Sequence, residues 1–375
     1  MSLPQRADVS IAGAGLAGLT AALYLARGGA SVVVLEAAED LGAGASGGQL
    51  GMACAGLTEP AFRLVHALGL DGAAEIYRFT KENIDLLAEL VPTRDSGSAW
   101  VAIDDREAGQ LDASAEALHA LGVPVQRWSS DEASAHLGGG LVGPALFFPQ
   151  DRSFDPATAL TTLARLATEA GVTLVTGAAV TGVEQGDDGM TVHMGEASLD
   201  SEIVIAAAGA ASAKVHPWLH DCILPIREQA AQWPTPPPAF TPVARGQYGY
   251  LHWRSTPQGL QVAGCRWATP HLEVGETAAQ ISQPVQDKIE ALAGRLYPEA
   301  TTAPPTRRWA WIEAGSCDGL PFVGPLPGTA RRIALCGFAG SDAALAVRAG
   351  KGVADGLLVG RAVGVPQRFT PRRML

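Results

Sequence analysis

Lysine is almost missing from this chain: Lys81, Lys214, Lys288 and Lys351 are the whole complement in 375 residues. Asp and Glu number 38 against 27 for Lys and Arg, so the formal net charge is −11 at pH 7. A chain this acidic is a poor match for the phosphate backbone of nucleic acid. Cysteine is sparse and odd in number. Cys54, Cys222, Cys265, Cys317 and Cys336 form no Cys-x-x-Cys pair, which argues against structural zinc and against a disulfide-stapled secreted scaffold. A reduced, cytoplasmic protein is the natural reading. The eight histidines show no metal spacing, so no metal is expected. No apolar run is long enough to span a bilayer. A strand already begins by Asp8, which leaves no room for a signal peptide. There are no internal repeats, and the proline-rich stretch Pro234 to Pro242 is short enough to be a surface loop. What remains is 47% hydrophobic and 17% charged, apolar matter enough for one large or two ordinary domains.

The most informative stretch runs from Asp8 to Glu36. Val9, Ile11 and Ala12 form an apolar strand, followed by Gly13-Ala14-Gly15-Leu16-Ala17-Gly18. Gly13 permits a tight turn, Gly15 lets backbone approach a pyrophosphate, and Gly18 lets the next helix pack closely on the strand. Leu16, Leu19, Ala22, Leu23 and Ala26 repeat at helical spacing, and Gly28-Gly29 ends that helix. Its free N–H groups face the phosphates. A second buried strand, Ser31 to Leu35, ends at Glu36, 18 residues beyond Gly18. A carboxylate there accepts hydrogen bonds from ribose hydroxyls and repels a 2′-phosphate. This unit fits FAD or NAD and argues against NADP.

Farther along, Leu41 to Gly56 is a glycine-rich loop. Helical patterns follow at Pro60–Leu68, Ala73–Leu90, Ser114–Leu121 and Ser130–Leu137. Asp155 to Gly171 is an amphipathic helix, with Asp155 or Ser153 as cap and Pro156 in its first turn. Thr173–Thr176, Val180–Gln185 and Met190–His193 read as a meander, with Gly186 to Gly189 turning between the last two. Glu202 to Ala207 is a buried strand. Antiparallel sheet is expected from Pro225 to Cys265, with Tyr248 and Tyr250 on one strand face. A helix over Thr277–Leu296, strands at Trp309–Glu313 and Ile333–Cys336, and a final helix over Asp342–Val359 complete the pattern.

Four ordered blocks resemble the D-amino-acid oxidase/glycine oxidase/sarcosine oxidase (DAO) group of FAD-dependent oxidoreductases over nearly the whole chain. They are Gly13–Gly18 with Glu36; the small-residue loop Gly42 to Gly48; Ile205-Ala206-Ala207-Ala208-Gly209-Ala210; and Asp318-Gly319-Leu320-Pro321-Phe322-Val323-Gly324-Pro325 followed by Cys336-Gly337-Phe338-Ala339-Gly340. Tyr250 to Arg254, Gly259 and Gly264-Cys265-Arg266 look like the group's substrate-side hairpin. The resemblance implies an α/β fold: a Rossmann-type, GR2-like FAD-binding domain (1–85, 146–217, 306–375) and a discontinuous mixed or antiparallel-sheet α+β substrate domain (86–145, 218–305). It assigns FAD contacts to Gly13, Gly15, Leu16, Ala17, Gly18, Glu36, Ala45, Ser46, Gly48, Gln49, Val180, Ala208, Gly209, Gly337, Ala339, Gly340, Ser341 and Asp342. The last helix is expected to aim its N-terminal amides at the flavin edge where negative charge collects on reduction.

The departures from the group are specific. Gly47-Gly48-Gln49 offers no histidine for covalent attachment, and Cys317 stands apart from the group's flavin-linked cysteine, so FAD is expected to be non-covalent. Cys317 itself reads as a small buried residue. Gln261 occupies the strand on which several oxidases carry an oxygen-activating lysine, which leaves a dehydrogenase open. In Trp309-Ala310-Trp311-Ile312-Glu313, Glu313 replaces the arginine that pairs with substrate carboxylates. A Glu313 facing the pocket favours a cation, and a Glu313 facing away pairs with Arg307 or Arg308. Any substrate carboxylate then falls to Arg266 or Arg254. Tyr250, Arg266 and Glu313 are the candidate catalytic residues. Trp253, Trp267, Trp309 and Trp311 are candidate pocket walls, and His252 and His271 read as structural.

The implied reaction is oxidation of a C–N bond in an amine or amino acid by hydride transfer to flavin N5. The imine product hydrolyses, and oxygen or another acceptor reoxidises the flavin. The alternatives are a dehydrogenase of a hydroxy acid or polyol phosphate, which calls for a basic cluster where only scattered Arg245, Arg254 and Arg266 stand, and an FAD-carrying electron-transfer subunit of a larger complex.

Overall fold

The computed structural model describes residues 3–140, 143–187, 189–234, 242–360 and 364–375. Its nucleotide-side sheet is centred on Arg6–Ala12, which pairs in parallel with Val32–Leu35 on one side and Ala197–Ala206 on the other. Thr173–Val175 extends the first side and Arg332–Cys336 the second, both in parallel. Gly182–Gln185, Met190–Met194 and the start of Ala197–Ala206 form an antiparallel meander, and Phe322–Pro325 folds back on Arg332–Cys336. The carboxyl ends of the parallel strands therefore deliver Gly13, Glu36, Ala207 and Gly337 to one edge. Ligands of open α/β sheets bind at that edge, beside the strand where the order reverses.

Two helices lock this half together. Leu16–Arg27 packs against Asp342–Val359, and Gly350 makes the contact possible: a β-carbon there would lie 2.5 Å from the Ala17 carbonyl oxygen. Asn83, fully buried in the long helical run Ala61–Leu90, donates to the Ala343 carbonyl (2.8 Å) and accepts from the Arg348 amide (3.0 Å). It pins the start of the final helix.

The second eight-stranded sheet runs in the order Arg307–Ser316, Ile223–Trp233, Gly259–Gly264, Leu251–Thr256, Val243–Gly246, Ser98–Val101, Ala145–Phe148, Gln126–Trp128. It is antiparallel except where Val243–Gly246 meets Ser98–Val101. Gln283–Leu296 covers it, closing a core that includes Trp233, Trp253, Val262 and Ile289. The Trp253 indole donates to the Tyr297 hydroxyl (2.9 Å), which donates onward to the Leu137 carbonyl (2.9 Å). The α/β expectation, with mixed and antiparallel sheets, holds.

Local differences have local causes. The two helices read between Pro60 and Leu90 are present and meet at a kink at Gly69, whose backbone (φ 72°, ψ 169°) is not helical. The Thr277–Leu296 helix starts only at Gln283, with a proline in its first turn. The helix read from Ser114 begins earlier, at Asp105, because Asp104 caps it by accepting the Glu107 amide. Asp155 caps the helix Pro156–Glu169 as read, accepting the Thr158 amide at 2.8 Å. Tyr248 and Tyr250 do not share a strand: Gln247 and Tyr248 take φ of 49° and 58° in a tight turn before Leu251–Thr256. Val180 precedes its strand, which begins at Gly182. Asp188 of the Gly186–Gly189 turn, and positions 235–241 of the proline-rich stretch, lie outside the described residues.

Candidate active site

The glycine turn is a cradle in which side chains have no room. A β-carbon on Gly13 (φ 103°) would stand 2.5 Å from the Ala207 carbonyl oxygen, and one on Gly15 2.9 Å from the Ser46 hydroxyl oxygen. Gly18 carries the helix so close that its β-carbon would meet the Gly13 carbonyl. The first three sequence blocks thus touch one another. The Leu16 amide donates to Ser46 (3.1 Å), so the helix N-terminus is bridged to the Ala45–Gly48 turn rather than capped by its own N-cap side chain. Glu36 accepts the Ala14 amide (2.9 Å) and the Ala38 amide (3.1 Å), which hold its carboxylate at the strand end. Space is open around Gly44 and Gly209, and the Gln49 side-chain amide is buried without a partner. These features fit a bound FAD: backbone amides for a pyrophosphate, a fixed carboxylate for ribose and a free amide donor farther in. Val180 lies partly buried just before the meander, and Ala17 and Ala208 line the turn's flanks.

Between the two sheets lies an open cavity of about 90 Å³. Gln49, Cys54, Arg245, His252, Trp311 and Glu313 are among the residues that line it. The loop Gly337–Gly340 reaches the cavity at Gly340, with φ of 77°, 51° and 79° at Gly337, Ala339 and Gly340. The Ala339 amide donates to the Ala314 carbonyl (3.0 Å), docking this loop on the Arg307–Ser316 strand. Glu313 is buried, and a β-carbon on Gly340 would stand 3.1 Å from its carboxylate, so the loop and the acid are in contact.

Charge in the cavity is divided. Burial raises the Glu313 carboxyl above its ordinary range, opposed by the positive charge of Arg266 and a 3.1 Å hydrogen bond from the Trp311 indole. Burial, reinforced by the Glu313 charge, pushes Asp342 up to about 7. The same cavity is lined by Arg245, 6% exposed, its guanidinium 4.2 Å from the Trp100 ring centre and 5.4 Å from Phe148. Its Nε is buried without a hydrogen-bond partner. Around it, burial pushes Asp151 up to about 6 and Cys54 up to about 12, and burial together with the Arg245 charge holds His252 down at about 4. Asp151 is fixed by Ser98 and by the Ala55 amide (2.9 Å).

Of the candidate catalytic residues, only Glu313 lines the cavity. Its alternative partners are engaged elsewhere: Arg308 with Glu290 (2.7 Å) and Arg307 over the Trp309 ring. Arg266 forms an ion pair with Glu228 and lies 4.8 Å from the Tyr250 ring centre, while Tyr250 is 39% exposed. Arg254 is consumed in hydrogen bonds to Gln261 (2.9 Å) and the Phe154 carbonyl (2.8 Å). The two arginines expected to hold a carboxylate are thus both committed, and Arg245 stands available instead. No motif marked it; its signal was only a cation between two strands, ahead of the turn. His252, read as structural, lines the cavity. Among the tryptophans, Trp311 lines the cavity, Trp253 is core, Trp309 donates to the Gly48 carbonyl (2.8 Å), and Trp267 is exposed. Cys317, read as buried, is exposed because the Arg307–Ser316 strand ends one residue before it. Among the described residues no group of three or more His, Cys, Asp or Glu could hold a metal, and no helix is long and apolar enough to cross a membrane.

The sequence pattern of the family described as FAD dependent oxidoreductase (DAO) matches residues 8–356. A curated relative, "Probable oxidoreductase OrdL" of Haemophilus influenzae, is 28% identical over 234 residues, covering 59% of this chain and 54% of its own. The match thus spans about half the length of that relative. Two solved structures superpose on nearly the whole chain. Glycine oxidase from Geobacillus kaustophilus gives a TM-score of 0.82 at 20% identity, covering 99% of this chain and 100% of its own. L-Proline dehydrogenase from P. horikoshii gives 0.84 at 21%, covering 99% and 98%. At these identities the likeness establishes the fold.

Proposed function

The chain belongs to the DAO family of FAD-dependent oxidoreductases, and on that footing we propose that it oxidises the C–N bond of a small amine that also carries a carboxylate. The observation that carries this reading is that Arg245 and Glu313 line one cavity, the arginine with an unpartnered buried Nε. A guanidinium held over aromatic faces is pre-oriented to grip a carboxylate through its edge. Glu313 attracts the ammonium end and takes its proton, since an amine yields a hydride from carbon only as the free base. A carboxyl raised by burial, beside a second carboxyl, Asp342, is suited to accept that proton. When bound, FAD supplies the two-electron acceptor for the α-hydrogen. Trp311 and Ala263 wall the cavity, and the glycine cradle and Glu36 anchor the nucleotide end. The resulting imine hydrolyses in water.

We further propose that FAD is non-covalent, that the protein works in the cytoplasm, and that the chain divides at the boundaries read from the sequence. The Arg307–Ser316 strand pairs across that division into the second sheet. A hydroxy acid or polyol phosphate is disfavoured, because the cavity holds a buried carboxylate as well as its arginine instead of a cluster of cations.

Anaerobic bleaching of the visible flavin band against substrate pools tests the function. Bleaching by amino acids or N-substituted amino acids, and weakly by amines without a carboxylate, is expected. Bleaching by hydroxy acids alone would overturn it. No bleaching by any pool from a yellow protein would favour an electron-transfer subunit. Acid precipitation that leaves FAD in the supernatant checks the non-covalent attachment, and admitting air tests oxygen as the acceptor.

A further inference from the structure

Two of the five cysteines stand apart from the other three. Cys54, Cys265 and Cys336 are buried, and burial pushes each thiol up to about 12, so all three are inert packing groups. Cys317 is exposed and Cys222 half-buried. These two face each other. Ile223–Trp233 and Arg307–Ser316 pair antiparallel with Ile223 opposite Ser316, and just beyond that last pair the Cys317 amide donates to the carbonyl of Cys222, the final residue of the short helix Trp218–Cys222, at 3.2 Å. Their thiols lie within hydrogen-bond reach of each other, so the two sulfurs are near enough for a disulfide to close by side-chain rotation. The thiols also sense each other: burial first, then the charge and hydrogen bonding of Cys317, pushes Cys222 up to about 11.

We propose that Cys222 and Cys317 form a dithiol site that closes reversibly to a disulfide by exchange with a small disulfide such as oxidised glutathione. Exposed Cys317, as thiolate, attacks one sulfur of the small disulfide and releases one small thiol. Cys222 then loses its proton and attacks Cys317 sulfur in the mixed disulfide, releasing the second small thiol. The two protein thiols lose two electrons and two protons, and the small disulfide gains both.

The pair sits at a mechanically relevant point. Gly337, which begins the loop that reaches the cavity at Gly340, rests on the neighbours of both cysteines: a β-carbon there would lie 2.9 Å from Ile223 Cδ1 and 3.4 Å from Ser316 Cβ. Closing the dithiol staples the two strand ends on which that loop stands. The Asp318 carboxylate, next in sequence, is already clamped by Arg373 (2.6 and 2.8 Å), so the segment is held in place for the bond to form. This site is independent of which substrate the cavity takes.

The test treats the full-length FAD-loaded protein with oxidised glutathione, blocks remaining thiols by alkylation and maps peptides by mass spectrometry. The expected result is one Cys222–Cys317 linked peptide pair, two fewer titratable thiols in denaturant, and recovery of both with dithiothreitol. Cys222→Ser should accumulate a stable glutathione adduct on Cys317, and Cys317→Ser should lose no thiols. The proposal is overturned if wild-type protein ends with a lasting Cys317 adduct, a covalent dimer through Cys317, a Cys222–Cys336 link, or all five thiols intact. The wild-type arm decides the matter whether or not the variants fold.

Discussion

Trp311 and Glu313, two positions apart on the Arg307–Ser316 strand, are joined by a hydrogen bond from indole to carboxylate at 3.1 Å. Alternate residues of a strand share a face, so the wall of the cavity also stabilises its acid. Removing that donor raises the carboxyl further. Trp311→Phe should shift the acidic limb of the kcat/KM profile upward by about one pH unit, read from rates across pH.

Glu313→Gln keeps the shape and removes the charge. It should weaken capture of the ammonium end by roughly 10- to 100-fold in kcat/KM, matching the ~1.5–3 kcal/mol of a charge-assisted hydrogen bond. Amines lacking a carboxylate should suffer as much as amino acids. Equal kinetics for wild type and variant would remove Glu313 from the site.

Arg245→Met fills the same slot between Trp100 and Phe148 without a cation. KM for carboxylated substrates should rise by about 100-fold, while amines without a carboxylate should be little affected. Steady-state kinetics on a matched pair, differing only in the carboxylate, separates these outcomes.

Gly15→Ala tests the cradle. Gly15 has φ of −78°, which alanine tolerates, so folding should survive, but the methyl would press on Ser46 at 2.9 Å. The purified variant should lose most of its visible flavin band and show at least about tenfold weaker FAD binding by titration, an order-of-magnitude expectation for backbone pushed off a pyrophosphate.

Asp342→Asn tests the pH dependence of stability. Its carboxyl titrates near 7 in the folded chain and near 3.8 when exposed. Between those values the folded state holds the extra proton, so this group's contribution falls as pH rises and levels off above about 7. The asparagine variant should lack that part of the slope. Denaturant midpoints at about pH 5 and about pH 8 should diverge in its favour at the higher pH, and parallel midpoints would show that Asp342 does not titrate in this range.

The glycine turn, its helix and Glu36 were legible because each depends on neighbours close in sequence: a strand, a turn and a cap within about thirty residues. The Asp155 cap was legible for the same reason. Arg245 was not. Its significance comes from Trp100, Phe148 and Asp151, which a parallel strand pairing and a short hairpin bring from far upstream. Arg254 and Arg266 looked equivalent to it in sequence and differ only in having found partners, Phe154 and Glu228, that no local pattern announces. Cys317 was misjudged because composition describes the average cysteine, whereas exposure depends on where a strand ends.

The strand that bears Trp309, Trp311 and Glu313 is held to Ile223–Trp233 by ten paired positions. Sliding it by one residue would turn Ile312 or Ala314 toward the cavity and erase the acid from it. The cavity's preference for a positive or a negative partner is therefore stored as a register, in a segment that meets the small-residue loop at Gly48 through Trp309 and Trp311. Such a segment can be rewritten, acid for base, while the nucleotide-holding half is left as it stands.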